Sequence, residues 1–500
     1  MSFTTQIFTF VFMPLSLCLY YLTCLLENVP LFYKIIKKVR AKDMVLIFVS
    51  IAFYMWTCFD DVFRLLLYIL MVYIAGYLIS RVKKKENYFN VYSSKGGETV
   101  VHKIYVAVFL LLAFIIIVLF CLVHFKYTNL LITLWNWLFR GTITMNSIAA
   151  PLGISFITFS SVSYLVDIYR GSAKAGTLID CALYLSFFPK VVSGPTVLWK
   201  NFQPMIYGRH IDLKKFTDGL NRIMIGFAKK LILADTFGTC ISQISVARMD
   251  VITAWGSALV YMLQIYYDFS GYSDIAIGLA KVFGFDFENN FNFPYISKSI
   301  SEFWRRWHVS LGMWFREYVY FPLGGSKKGK KRTLINLAVV FVLTGVWHGA
   351  GWTYILWGGI NGAVAIIERI VKDKHIYQSI PVFFKWFATM ALTLFCWQFF
   401  RFSNIDDFLI CIRTMFGMFR PESIYYTWQY YFDTQLFVFV ILGSFGATAL
   451  ASNRLKSWYS DFSATKIGFV IQEIILLLLF SVAILFMVNS TYHPFIYFQY

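Results

Sequence analysis

Charge is scarce in this sequence. Only 14% of its 500 residues are Asp, Glu, Lys or Arg, against about a quarter in soluble globular domains. That shortage excludes a chain solvated by water on all sides. Paired cysteines are missing too. The eight cysteines stand at 18, 24, 58, 121, 181, 240, 396 and 411, mostly inside apolar runs and never at C-x-x-C spacing. Neither a zinc site nor a disulfide framework is therefore indicated. Residues 1–6, Met-Ser-Phe-Thr-Thr-Gln, hold no basic side chain, and no small-residue cleavage site comes after them. The first apolar run is expected to be a retained span and not a signal peptide. No low-complexity tract, repeat or soluble domain is visible.

What the chain does have is apolar and aromatic. Hydrophobic residues make up 59% and aromatic ones 20%, with 53 Phe and 32 Tyr, and the mean hydropathy is +0.63. Rings in that number suit membrane interfaces and protein-lined cavities. The net charge of +19 is clustered beside apolar runs, at Lys34–Lys42, Arg81–Lys85 and Lys327–Arg332. Juxtamembrane cytoplasmic loops account for these clusters, and no nucleic-acid-binding pattern accompanies them.

A span takes about 20 mostly apolar residues. Runs that qualify are 7–26, 44–58, 64–80, 104–124, 147–169, 334–346 with the residues just after it, 353–371, 382–400, 434–451 and 468–488. With 27–43, 81–103 and 453–467 inside, both chain ends lie outside. Three stretches resist this scheme. Segment 178–195 carries Pro189, Lys190 and Gly194, 217–245 carries Lys229 and Lys230, and 254–284 carries Asp268 and Asp274. Such stretches are costly against lipid, so they are expected as re-entrant or cavity-lining elements buried in protein.

Two of the seven histidines have unusual settings. Ser299 and Glu302 form an S-x-x-E capping pattern, and Pro322-Leu-Gly-Gly ends the run. One helix of roughly 20 residues is therefore expected, with Trp304, His308, Leu311 and Phe315 on one face. Glu302 can pair with Arg305 or Arg306 one turn on. His348 lies in Leu343-Thr-Gly-Val-Trp-His-Gly-Ala-Gly351. Gly345 and Gly349 allow close helix packing. His348 stands 16 residues beyond Arg332, roughly 24 Å along a helix. A titratable group so deep, on glycine-broken backbone, is expected to line a cavity. Each could instead be a core histidine bonded to a carbonyl. Metal binding by the pair lacks a third ligand at suitable spacing. Imidazole suits acyl transfer because its ordinary pKa, about 6.5, lets it take a proton from a hydroxyl and return one. Tyr266-Tyr-Asp268-Phe-Ser270-Gly-Tyr272-Ser-Asp274 is also unusually polar for its surroundings, and interhelical hydrogen bonding explains it as well as catalysis does.

At these residues the sequence resembles the membrane-bound O-acyltransferase (MBOAT) family, in its alginate O-acetyltransferase branch. The matching stretches are Gly153-Ile-Ser-Phe-Ile-Thr-Phe, Asp167-Ile-Tyr-Arg-Gly, Phe188-Pro-Lys190 with Gly194-Pro195, and Gln264 to Asp274. They continue with Asn292-Phe-Pro-Tyr-Ile-Ser, Glu302-Phe-Trp-Arg-Arg-Trp-His308 and Leu343 to Ala350. Phe12-Met-Pro-Leu and Phe495-Ile-Tyr-Phe-Gln match at the ends.

The resemblance implies an all-α polytopic membrane protein. Ten to twelve membrane helices, with re-entrant or short helices, would surround a central tunnel in one domain over 1–500, its catalytic core at about 147–371. His348 matches the family's essential histidine. His308 matches a second catalytic position, histidine in this branch and asparagine or aspartate in others. Asp268, Ser270, Asn292, Trp304, Arg305, Trp347 and Tyr497 are candidates for contacting substrate. Ser160 departs from the pattern, where many relatives have glutamine. No bound metal or cofactor is expected. The implied donor is a cytoplasmic acyl thioester, acetyl-coenzyme A or another. The implied partners are an extracytoplasmic polysaccharide acceptor and a secreted or membrane-anchored esterase-like (SGNH-type) acetyltransferase. The implied location is the bacterial cytoplasmic membrane. The sibling branch transfers D-alanine to teichoic acid, and a transporter of polysaccharide or acyl donor is the competing reading from another class. In the tail, His493 to Tyr500, Tyr497 or Tyr500 could accept an acyl group transiently, or the rings could simply sit in the outer interface.

Overall fold

A computed structural model shows how these runs fold. It describes residues 2–30, 33–34, 40–92, 97–144, 150–402, 404–424 and 426–489, with the side chains of 84–104 outside that description. The expected tail contacts of Tyr497 and Tyr500 lie outside the described residues. Every regular element among the described residues is helical. Among the described residues, seven helices are long and apolar enough to cross a membrane. Helices Ala41–Thr57, Ile154–Arg170 and Lys330–His348 occupy the other three expected runs. The spanning helices expose large apolar side chains, such as Phe109, Phe120 and Leu478, because their outer faces meet lipid and not water.

Two compact units divide the chain, residues 1–219 with 279–287 and residues 220–278 with 288–500. In the first, α1 (Phe8–Glu27), α2 (Ala41–Thr57), α3 (Phe59–Lys83), α4 (Tyr105–Phe139) and α5 (Ile154–Arg170) accompany a re-entrant element. It enters through α6 (Leu178–Ser186), capped reciprocally by Thr177 and Asp180. It turns where the Phe188 amide donates to Ser50 Oγ on α2, at 3.1 Å, and returns through α7 (Trp199–Tyr207). Both ends meet at Asp180, which accepts from Tyr207 Oη at 2.7 Å and from Arg40 at 2.6 Å. Lys190, at the turn, is buried. Its ammonium donates to Ser160 Oγ at 2.7 Å and lies 4.1 Å from the centre of the Tyr184 ring.

The second unit explains the charges in the other two difficult segments, because they neutralise one another. Arg222 and Lys229 hold Asp274 at 2.8 and 2.6 Å. Lys230, in a π-helical turn at Ala228–Ala234, bridges Asp235 and Asp268 at 2.5 and 2.7 Å. Paired in this way, the buried charges offset part of their desolvation cost by mutual attraction. Asp274 and Asp268 project from α8 (Val251–Val282). A Cβ on Gly226 would lie 2.7 Å from the Gly271 carbonyl, so the glycines are what let these helices approach.

Candidate active site

The expected single helix around His308 is two helices. α9 (Ile300–Arg306) begins as the capping pattern requires, with Ser299 Oγ accepting from the Glu302 amide at 3.0 Å. The Glu302 carboxylate accepts from the Lys298 amide and pairs with Arg306 at 2.9 Å. Trp307 then turns extended, and His308 sits in the left-handed region at φ 46° and ψ 53°, ahead of α10 (Val309–Phe315). For a side chain other than glycine that conformation costs about 1–2 kcal/mol. A neighbouring loop holds the break open. The Val309 amide donates to the Asn290 carbonyl at 3.0 Å, and the Asn292 amide donates to the Arg306 carbonyl at 2.9 Å. Helical spacing could not reveal this, because the braces join residues 14 and 19 positions apart in the chain.

Asn290 also sets the histidine's tautomer. The Ser310 backbone N–H can only donate, so the Asn290 atom 3.2 Å away is the amide oxygen. That oxygen also lies 2.9 Å from Ser310 Oγ and 3.1 Å from His308 Nδ1. An amide oxygen only accepts, so Nδ1 carries the proton and Nε2 is the basic nitrogen of the neutral ring. Asn290 Nδ2 in turn donates to Ser273 Oγ at 3.1 Å. His308 lies outside the spanning helices, and burial pushes its imidazole well below the ordinary value, which keeps it neutral at physiological pH.

His348 is positioned by packing. It is the last residue of α11 (Lys330–His348), and Gly349 breaks the helix. α11 lies against α12 (Trp352–Val371), where a Cβ on Gly345 would stand 2.6 Å from the Tyr354 carbonyl and 3.3 Å from Gly358. The expectation of close packing at Gly345 rests on that contact. Around the imidazole, the Trp347, Trp357 and Phe400 rings stand at 4.7, 5.0 and 5.0 Å between centroids, all edge-on or nearly so. Phe400 comes from α13 (Val382–Arg401).

A cavity of about 260 Å³ opens beside His308 and stops at Trp357, short of His348; it is lined by His308, Trp304, Trp357, Arg316, Phe341 and Thr344 among others. Trp357 faces both the cavity and His348. The lining along α11 runs from Leu337 to Thr344, roughly 10 Å of helix, with the basic loop at one end and His348 just beyond the other. Of the candidate contact residues, Trp304 lines the cavity and donates to Asn361 Oδ1 at 3.1 Å. Trp347 packs on His348. Asp268 is engaged by Lys230, and Ser270 is buried; neither lines this cavity. Instead Phe269, between them, meets His308 edge-on at 4.7 Å. Asn292 and Arg305 are exposed, and Asn292 acts through its backbone. Asn290 and Trp357 went unnoticed in the sequence. The polar doublet Asn289-Asn290 ahead of Phe291 was the available signal for the first, and nothing local marked the second.

Residues 101–400 match the model of the membrane-bound O-acyltransferase family. The chain is 33% identical to "Probable alginate O-acetylase AlgI" of Pseudomonas putida over 532 aligned positions, covering 100% of both chains. It is 32% identical to the peptidoglycan O-acetyltransferase of Helicobacter pylori, over 59% of this chain and 62% of that one. With the teichoic acid D-alanyltransferase of Bacillus subtilis it shares 30% identity, over 51% of this chain and 68% of that one. A multi-pass helical chain with this full-length kinship belongs to the membrane-bound O-acyltransferase family and is an O-acyltransferase.

Proposed function

We propose that this enzyme moves an acetyl group from a cytoplasmic thioester, acetyl-coenzyme A first among them, through the membrane for O-acetylation of an extracytoplasmic polysaccharide. The observation that carries the reading is the cavity lined by His308 along α11, with His348 one ring behind it. The exposed cluster Lys327, Lys328, Lys330, Lys331 and Arg332 stands at the cavity's cytoplasmic end, where an anionic coenzyme would arrive. His348 takes the proton of the acceptor hydroxyl as its oxygen attacks the thioester carbonyl. The tetrahedral intermediate then expels the thiolate, which recovers a proton from the imidazolium. His308 presents a basic Nε2, so it accepts a hydrogen bond and orients the acceptor hydroxyl; an oxyanion would need a donor there.

Acetyl is favoured over D-alanyl because the likeness to the alginate O-acetylase spans both whole chains, whereas that to the D-alanyltransferase spans half of this one. A secreted esterase-like partner, and transient acylation of Tyr497 in the tail, complete the proposal on the outer side. The test is labelled acetyl transfer by the purified enzyme. His348→Ala, inserted and purified normally, loses transfer, and full activity in that variant removes His348 from the chemistry.

A further inference from the structure

A second and larger cavity, of about 590 Å³, lies in the same unit and shares no lining residue with the histidine cavity. It is framed by the start of α14 (Thr434–Ala451) and the end of α15 (Lys466–Asn489). Those are the helix ends remote from the basic stretch around Arg454, Lys456 and Lys466, so the charge scheme puts the cavity on the outer face. Its size falls in the range of ligand sites, about 300–1,000 Å³.

The lining states the chemistry it would accept. Tyr431 is buried in the wall and Tyr430 exposed at the rim. Their rings stand 5.3 Å apart at 87°, and Tyr426 stacks on one face of Tyr430 at 4.0 Å, which leaves the other Tyr430 face for a ligand. Gln243, Gln435 and Asn489 at the rim, with Thr239, both donate and accept hydrogen bonds. Among the described residues no lysine, arginine or histidine lines the cavity, so none of these lining side chains would neutralise an anionic polymer. Of the two carboxylates, Asp235 is paired with Lys230 at 2.5 Å, while the exposed Asp433 accepts from the Leu436 amide at 2.7 Å and keeps its negative charge. Behind the floor, Lys230 serves both Asp235 and Asp268, an excess of negative charge that repels anions further.

Ring faces edged by amides and hydroxyls suit a sugar, whose C–H face stacks while its hydroxyls exchange hydrogen bonds. We propose that this outer cavity binds a neutral, hydroxyl-rich glycan and that the acceptor polymer is therefore neutral, not polyanionic. Its assignment to the acceptor side rests on the function proposed above; glycan binding itself does not.

The test is calorimetry on the full-length enzyme in nanodiscs, with cellotetraose and chitotetraose as neutral probes and tetramannuronate as the anionic one. A neutral probe binds, tetramannuronate binds about tenfold or more weakly, and Tyr430→Ala and Gln435→Ala each weaken the neutral probe about tenfold. Both residues are exposed, so their loss spares the fold, which the melting temperature confirms. Equal binding of tetramannuronate, or neutral binding indifferent to both substitutions, overturns the proposal. So does displacement of the sugar by glycerophosphoethanolamine, which marks a lipid-headgroup site. If the wild type binds the glycan yet transfers no acetyl group, the function proposed above falls and this site stands.

Discussion

His308 and His348 are held in opposite ways. His308 sits on strained backbone, fixed by hydrogen bonds that it and Val309 donate to Asn290 and by the Asn292 amide bond to Arg306. His348 ends an unstrained helix inside a cage of Trp347, Trp357 and Phe400 rings. Hydrogen bonds fix a tautomer, whereas ring packing fixes a position and leaves the proton free to move. That difference suits an orienting residue at 308 and a proton carrier at 348.

The sharpest way to break the comparison is to remove each imidazole. His348→Ala is expected to lower kcat about a thousandfold or more and His308→Ala about a hundredfold, since positioned acid–base groups contribute about 10²–10⁴. His308→Asn retains part of the activity, because asparagine still accepts a hydrogen bond. Equal losses for His308→Ala and His308→Asn in single-turnover kinetics would assign proton transfer to His308 as well.

Disturbing the supports should have smaller, distinguishable effects. Asn290→Leu removes the acceptor for Nδ1–H and is expected to reduce kcat about ten- to hundredfold through a mixed tautomer, with KM little changed. Asn290→Asp places a carboxylate beside the ring and raises the His308 pKa. The ring is functional when neutral, so activity in that variant is lost from higher pH downward, whereas the wild type shows no His308 limb near neutrality. A pH–rate profile identical in both forms would refute the tautomer argument. Trp357→Phe keeps a ring between His348 and the cavity and should cost less than tenfold; Trp357→Ala opens a void and should cost more.

The smallest effect is expected at the basic loop. None of its five cationic side chains takes part in an ion pair among the described residues, and all are exposed. Neutralising all five should raise the donor KM about tenfold or less and leave kcat alone, with the difference shrinking at high salt. An unchanged KM with altered membrane insertion would make the loop a membrane-surface anchor.

Much of this was legible in the sequence, for reasons that differ by element. The apolar spans, the Ser299 cap and the Glu302–Arg306 pair are local, settled within a few residues. The burial of 178–195 inside protein was legible because Lys190 and its neighbours are too costly against lipid. The bridge from Lys230 to Asp268 was not, since the two residues lie 38 positions apart in the chain. The break at His308 was missed for the same reason. Its cause, the loop of Asn290 to Asn292, reaches it through backbone hydrogen bonds that periodicity cannot show. Arg305 looked like a contact residue beside His308, but it lies on the exposed face of α9.

The left-handed backbone at position 308 restricts which chemistry evolution can place there. Asparagine, aspartate and histidine are the side chains, glycine apart, that enter that region most readily. They are also the three that the family resemblance assigns to the second catalytic position. Geometry has thus set the permitted alphabet before catalysis chooses a letter. Lysine or glutamate, though able to carry protons, would have to pay for the turn as well as for burial.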